Sequence, residues 1–584
     1  MMCLGTLKSG VLRGPFFMGV ALALVAIAAP ALLPVGAPPL LSLYTEAIAL
    51  LCWGLWLAWL APRLGGLRLS AQLLTASPLA AALLVLVVSL ASVLLSVAVR
   101  GLPLAIGVRH TVILSAAVLA LLAGARLAGL SATPQGQALS HAALLGFFVA
   151  GLGSAVIAVA QYFAVDGPWE RLGKDGRAGG NLAQPNLLGT QLLWAFAALV
   201  ALRARLRLGR TLAWLGAALL LLAVAMSASR SAALGCLVLV LWGALDRRLG
   251  RETRGLLLAA PAALMVAWAV LTLWPQVGGP GFAGTALLQK ADPTSSRWQL
   301  WQQCATLITA NPWLGVGWGQ FNFAWSLTPM PHLPRTAGYT FSHAHNIVLQ
   351  WAVELGLPLA LLLVGLLGYA LLRSAQVLWR RGGNPPVDQR AALAMVLVVL
   401  LHSQFEFPLW HTNFLLPTVF LLGLAVGRSG DAVAPVHPSP NASVAPLLLA
   451  LAAAWALMDY RAIAAVYLPP PEAPPLERRI ATAQQSWLFG QFADRFAGTL
   501  ARPGERALDV YPRAAFELVD PRLLASWAQA LAEHQQIDKA RFLAARLAEF
   551  DSPLAKRFFA ACQSNPERFQ CRANDLPHGF ADFR

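Results

Sequence analysis

Successive apolar stretches, each long enough to cross a bilayer, constrain this chain more than any other feature. Crossing about 30 Å of hydrocarbon takes about 20 helical residues at 1.5 Å each. That length rule places spans near residues 16–37, 41–61, 79–99, 110–129, 142–164, 186–203, 210–227, 231–246, 255–275, 346–373, 390–405, 410–427 and 444–460. Charged residues fall in short runs between these stretches. At 58% apolar and 12% charged, the chain lies far from soluble averages of about half and about a quarter. The expectation is an all-α polytopic membrane protein of about 12–13 transmembrane helices.

The first stretch follows Lys8 and Arg13 as a signal peptide would. It is too long for one, and a second span follows at once, so it reads as a helix. Basic residues in short loops mark the cytoplasmic side. They gather at Arg63 and Arg68, at Arg203, Arg205, Arg207 and Arg210, at Arg247, Arg248, Arg251 and Arg254, and at Arg373, Arg380, Arg381 and Arg390. This predicts a cytoplasmic amino terminus and a multi-pass inner-membrane protein. The net charge of +17 is then a topology signal directed at anionic membrane lipid, and no motif points to nucleic acid.

Four segments face the far side in this topology: residues 165–180, the turn Ser227–Ser231, the stretch 276–343 and the tail beyond 460. In the long loop, Ser296 and Gln299 fit a capping box and predict a helix start, with Trp298, Trp301, Ala305 and Ile308 on one face and Asn311-Pro312 ending it. Gly315, Gly317 and Gly319 suggest a sharp turn or a close backbone approach. The run Ser342-His343-Ala344-His345-Asn346 leads into an apolar helix, with Asn346, Gln350 and Glu354 at i, i+4, i+8 on one face. Polar residues there serve as interhelical ties or line a wet cavity. His345 is expected in the first turn, where a neutral base can sit beside an anion site. His343 and His345 could also begin a metal site, but no clustered carboxylate completes one.

These residues resemble a known domain. Arg297 through Phe321 with Asn311-Pro312-Trp313-Leu314-Gly315-Val316-Gly317, followed by His345-Asn346, Leu349, Gln350, Glu354 and Gly356, is similar to the domain shared by O-antigen ligases, O-antigen polymerases and bacterial protein O-oligosaccharyltransferases. Ser229-Arg230-Ser231 between two spans matches that family's Ser-Arg motif. Gly180-Asn181-Leu182-Ala183-Gln184-Pro185-Asn186 and Glu406-Phe407-Pro408-Leu409-Trp410 look like motifs of the PglL-type (pilin) O-oligosaccharyltransferases. The resemblance covers about residues 140–430.

It implies a GT-C-like bundle and a metal-independent, inverting transfer without cofactors. A preassembled glycan would pass at the periplasmic face from undecaprenyl pyrophosphate to Ser/Thr of an acceptor protein such as pilin. A pyrophosphate leaving group needs fixed cations. Arg230 is the first candidate, and Arg297, Arg177, Lys174 and Arg335 are others. His345 matches the family's essential histidine and is expected to act on the acceptor hydroxyl. Glu406 is expected to hold the acceptor or to orient His345 or an arginine. Gln184, Asn186, Gln161 and Asn346 are candidate substrate-binding groups. Trp274, Trp313, Trp351 and Trp410 read as interfacial anchors.

Residues 1–140 form the first spans, 141–430 the ligase-like region, 431–468 the last span, and 469–584 a soluble helical domain, tetratricopeptide-like in its helix pairs, beyond a proline-rich linker. Amphipathic helices are expected near 478–498, 520–535, 537–550 and 552–563. An oxidising periplasm would allow a bridge between Cys562 and Cys571. A ligase onto lipid A core, a polymerase of glycan repeats and a lipid transporter are the alternatives. The quoted motifs and the tail speak against the first two, and the absence of inverted symmetry speaks against the third.

Overall fold

The computed structural model describes residues 15–65, 77–169, 175–206, 208–285, 294–330, 340–380, 385–427, 440–572 and 578–584. It is an all-α polytopic membrane protein. Nine of its helices are long and apolar enough to cross a membrane, and Phe17–Leu32, Arg230–Leu245 and Thr412–Val426 are shorter apolar helices, all counted among the described residues.

The membrane-embedded helices are α1 Pro15–Leu32, α2 Leu43–Leu60, α3 Pro78–Val99, α4 Leu104–Gly129, α5 Pro134–Tyr162, α6 Pro185–Leu206, α7 Arg210–Ser227, α8 Arg230–Leu245 and α9 Arg251–Leu273. Then come α10 Thr294–Ala310, α11 Phe321–Leu327, α12 Ile347–Leu355, α13 Leu357–Leu378, α14 Val387–His402, α15 Thr412–Val426 and α16 Val444–Tyr467. Helix α6 is the centre of the bundle, with 89% of its apolar window buried. Trp194 of α6 donates to the Met395 carbonyl (2.9 Å), and Thr190 shares a 2.8 Å hydrogen bond with His402 Nδ1, so α6 and α14 are tied along their length. Small residues allow other helices to approach closely. A Cβ on Gly124 would lie 2.1 Å from the Phe420 carbonyl oxygen, and one on Gly423 would lie 2.0 Å from that of Leu121, so α4 and α15 meet backbone to backbone.

The basic loops gather at one end. Arg205 pairs with Asp388 (3.3 Å), Arg390 with Asp246 (2.5 Å) and Arg203 with Glu252. The opposite helix ends carry the candidate site.

The single span expected over 346–373 is two helices. Gly356 (φ 81°, ψ 164°) separates α12 from α13, and the glycine motif causes the break to be stable. Val316 and Gly317 donate to the carbonyls of Val353 and Glu354 (both 2.9 Å), and Leu357 donates to that of Pro312 (2.8 Å). The first two bonds satisfy carbonyls in the last turn of α12, and the third satisfies the first amide of α13, groups that uncapped helix ends leave open. The chains touch so closely that only glycine fits: Gly315 has φ 62°, and a Cβ there would lie 2.3 Å from the Glu354 carbonyl carbon.

Helix α10 begins at Thr294, two residues before the expected start at Ser296, and it ends before Asn311-Pro312 as expected. Trp301 lies on its inner face and donates to the Ala344 carbonyl (3.1 Å), whereas Trp298 is exposed. Of the four expected anchors, Trp274 and Trp313 are exposed, but Trp351 is only 8% exposed because it packs under α13 with Ala360 and Leu363. Trp410 also turns inward, edge-on to His343 at 5.0 Å.

The C-terminal helices are α17 Leu476–Gln484, α18 Gly490–Leu500, α19 Val510–Ala515, α20 Pro521–Glu533, α21 Ile537–Ala548 and α22 Pro553–Ala560. The helix expected over 478–498 is divided at Ser486–Phe489, where Asp459 of α16 accepts from Ser486 Oγ (2.6 Å) and the Leu488 amide (2.9 Å). Cys562 and Cys571 form a disulfide with Cα atoms 5.5 Å apart. These helices share one core with the long loop: Leu300, Cys304, Phe321 and Trp325 pack with Tyr511, Leu523, Trp527 and Phe550. Asn322 accepts from the Val519 amide (2.7 Å), and Ser326 donates to the Val519 carbonyl (2.8 Å).

Gly315→Ala is expected to destabilise the protein by about 1–3 kcal/mol or more, from a left-handed alanine and a backbone clash. Gly368→Ala, on open helix surface, should be neutral or slightly stabilising. Thermal unfolding in detergent checks both, and an unchanged Gly315→Ala midpoint would refute the close-packing account.

Candidate active site

Five chain segments meet where α6, α8, α10 and α12 begin and α14 ends, and those before α6, α8 and α12 are locally strained. Ala183, Ala228 and His345 adopt left-handed backbone (φ 53°, 45° and 52°), a conformation that costs non-glycine residues free energy and clusters at functional sites. Ala183 ends the turn Gly180–Leu182 before α6. Ala228 ends α7, and Ser229 caps α8 by accepting from the Ala232 amide (3.2 Å).

His345 does not sit in the first turn of its helix. Asn346 takes the cap position, its Oδ1 accepting from the Val348 and Leu349 amides (both 3.0 Å), so the helix begins at Ile347. The left-handed turn before the cap directs the His345 ring away from the helix axis. Asn346 is thereby spent on capping and on Gln404 (3.2 Å to its carbonyl). Gln350 accepts from the Ala344 amide (2.7 Å), and Glu354 accepts from the Phe321 amide (3.3 Å). Both hold the histidine turn and the glycine loop in place.

Glu406 is the junction. It is 9% exposed. Its Oε1 accepts from Arg297 (2.6 Å) and from Asn186 Nδ2 (3.2 Å), and its Oε2 faces His345 Nδ1 at 3.0 Å. Burial alone would raise its pKa. The His345 hydrogen bond and the charges of His345 and Arg297 outweigh that and hold the carboxyl below its ordinary value. An ionised carboxylate only accepts, so His345 Nδ1 carries a proton, and in the neutral imidazole the lone pair is then on Nε2.

Asn186 extends the network: its Oδ1 accepts from Arg177 (3.1 Å) and from Ser229 Oγ (2.8 Å). Arg177 also donates to the Ser227 carbonyl (2.9 Å). Its guanidinium lies below its ordinary pKa, through burial first and then the repulsion of Arg230 and Arg297, against the pull of Asp175 and Glu406. Arg177, Arg230 and Arg297 therefore form one cationic cluster. Arg230, the first residue of α8, is exposed and has no ion pair or hydrogen bond among the described residues.

Other expected residues fall elsewhere. Gln161 binds both backbone groups of Gly180 (2.9 and 3.1 Å) and so holds that turn rather than facing the cluster. Gln184 caps α6 by accepting from the Leu187 amide (2.6 Å). Lys174 and Arg335 lie outside the described residues. Two contributors escaped sequence reading. Phe407 lies edge-on to His345 at 5.1 Å and stacks on His343 at 4.4 Å, and Ser229 tethers Asn186. Each stands inside a quoted motif, but nothing in a linear pattern assigns it a partner.

A family model described as O-antigen ligase matches residues 215–364, which hold Arg230, Arg297 and His345. A second, described as virulence factor membrane-bound polymerase, C-terminal, matches 390–551, which hold Glu406 and the C-terminal helices through α21. Over these two stretches the chain is similar to the O-antigen ligase superfamily. Among its relatives, a general O-oligosaccharyltransferase of Acinetobacter baylyi is 29% identical over 266 residues, 44% of each chain. A ComP-specific O-oligosaccharyltransferase of the same organism is 25% identical over 252 residues, 43% of this chain and 44% of the relative. The chain thus spans under half the length of the curated relatives it matches. The ligase and polymerase matches meet at the Glu406 junction, since one holds the histidine and two arginines and the other holds the carboxylate.

Glu406→Gln is expected to remove the anion that fixes the His345 tautomer and to lower activity by about 10²-fold or more. The ionised Glu406 contributes stability that is fully present above the ordinary carboxylate pKa and lost as pH falls through its lower folded value. That acid-side loss should be absent in the variant. Unfolding midpoints across the carboxylate range test it, and parallel acid slopes for the two proteins would contradict it.

Proposed function

We propose that this protein is a glycosyltransferase. It moves a preassembled oligosaccharide en bloc from undecaprenyl pyrophosphate to Ser/Thr hydroxyls of a periplasmic acceptor protein such as pilin, with inversion and without a metal. The observation that carries this reading is the Glu406 junction, which leaves His345 Nε2 free beside a cluster of three arginines. The names of the two Acinetobacter relatives support a protein as acceptor.

In this reaction the acceptor oxygen attacks the anomeric carbon. The bond from that carbon to the pyrophosphate oxygen breaks, and the electron pair leaves with the lipid pyrophosphate. His345 Nε2 takes the hydroxyl proton, and Glu406 stabilises the resulting imidazolium. Arg230, as the unpaired cation, binds the leaving diphosphate, assisted by Arg297 and Arg177. The arginine-rich loops at the other end of the bundle support a periplasmic site by the positive-inside rule. A ligase onto lipid A core or a polymerase would use the same chemistry, so the acceptor has to be identified by experiment.

Co-expression with a lipid-linked glycan pathway and a pilin, read by intact mass, should show the glycan on the pilin. His345→Ala is expected to lower transfer by about 10²–10⁴-fold and Arg230→Ala by about 10²–10³-fold, with both variants still inserted and folded. Normal glycosylation by either variant would rule out the assigned role, and glycan found only on lipid A core or on longer glycan chains would rule out the protein acceptor.

A further inference from the structure

A cavity of about 590 Å³ lies beside the histidine turn and apart from the arginines. Its wall includes Ser342, His343 and Trp410 but none of Arg177, Arg230, Arg297, His345 or Glu406. Phe407 touches both regions through its contacts with His343 and His345. Apolar residues of α2, α3, α4, α14 and α15 form the membrane-side wall, and Ala515, the last residue of α19, with Phe516–Leu518 after it closes the cavity against Trp318–Phe323.

The two regions differ in charge. Arginines dominate the cluster, whereas the cavity is lined by three carboxyl groups, Glu46, Glu354 and Glu517, against the single guanidinium of Arg109. A diphosphate meets several guanidinium groups in the first and a single one in the second. The cavity's polar groups are also not equally occupied. Glu46 serves His411 (3.2 Å) and Thr412 (3.2 Å), and Glu354 serves the glycine loop. Glu517 has no hydrogen bond or ion pair among the described residues. The Arg109 Nε is buried without a partner, its guanidinium 5.0 Å above the Phe489 ring. Native structures pair nearly all buried polar groups, so Glu517 and Arg109, which attract each other with no hydrogen bond between them among the described residues, keep hydrogen-bonding capacity for a ligand. Together they offer an acceptor and a donor, which match the N–H and C=O of a polypeptide. Trp318, Trp410 and Phe516 add aromatic walls for its side chains.

We propose that this cavity receives the hydroxyl-bearing segment of the acceptor polypeptide, with Phe516 and Glu517 of the C-terminal helices forming part of that binding site. The inference rests on the glycosyltransferase reading above and adds where the acceptor lies: it enters through the carboxyl-lined cavity beside the Ser342–His345 turn while the diphosphate sits among the arginines.

The test uses the full chain in membrane vesicles with lipid-linked glycan and acceptor protein, each varied in turn. Phe516→Ala and Glu517→Gln should each raise the apparent KM for the acceptor roughly tenfold, as loss of one charged hydrogen bond or aromatic contact does, while kcat and the KM for the donor stay within about twofold. A photoreactive residue at position 516 should crosslink to the acceptor polypeptide and not to the donor lipid, a readout that does not depend on the substitutions folding well. A rise in donor KM alone, a crosslink to the lipid, or no change in either KM while the wild type transfers glycan to protein would overturn this site and leave the reaction standing. Failure of the wild type to glycosylate any protein would instead remove the reaction itself.

Discussion

The carboxylate of Glu406 is the contact on which the arrangement depends. It joins the start of α6 through Asn186, the start of α10 through Arg297 and the turn before α12 through His345. A buried carboxylate that loses these partners would bear an uncompensated charge, so the three segments are held together as strongly as the charge is hidden. The same bonds decide the chemistry. They fix which imidazole nitrogen is protonated, and they occupy Arg297 in part, whereas Arg230 has no partner among the described residues.

Backbone contacts keep that junction rigid. Gly315 and Gly356 let the loop after α10 lie directly on the last turn of α12. Gln350 and Glu354, which from their spacing alone read equally as membrane ties or site groups, pin the two ends of the same unit. The left-handed backbone at His345 is tolerated because the Asn346 cap on one side and the Ala344 amide bond to Gln350 on the other determine the turn. Strain is thus localised at the residue expected to react.

The C-terminal helices are more than an attached soluble domain. Their core is continuous with the loop that carries Arg297, and they close a cavity beside the histidine turn. The second family match, which runs from α14 into these helices, accords with one structural unit spanning the membrane and the tail. The charge is divided, with arginines around Glu406 and carboxyl groups in the cavity lined by Ser342 and His343, so the two regions offer unlike surroundings to a ligand.

Much of this was legible in the linear chain. Apolar length and period are local properties that act independently in each segment, so they sufficed for the spans, the polarity of the loops, the change of composition after residue 460 and the motif residues themselves. Tertiary structure alone decided which of those residues meet. Asn186 and Glu406 lie 220 positions apart, and their contact depends on small residues bringing helices together at set depths. The break at Gly356, the position of His345 outside its helix, the diversion of Gln161, Gln184 and Asn346 to local bonds, and the inward turn of Trp351 and Trp410 follow from the same cause. A buried polar group takes whatever partner packing brings within reach, and no spacing rule carries that information.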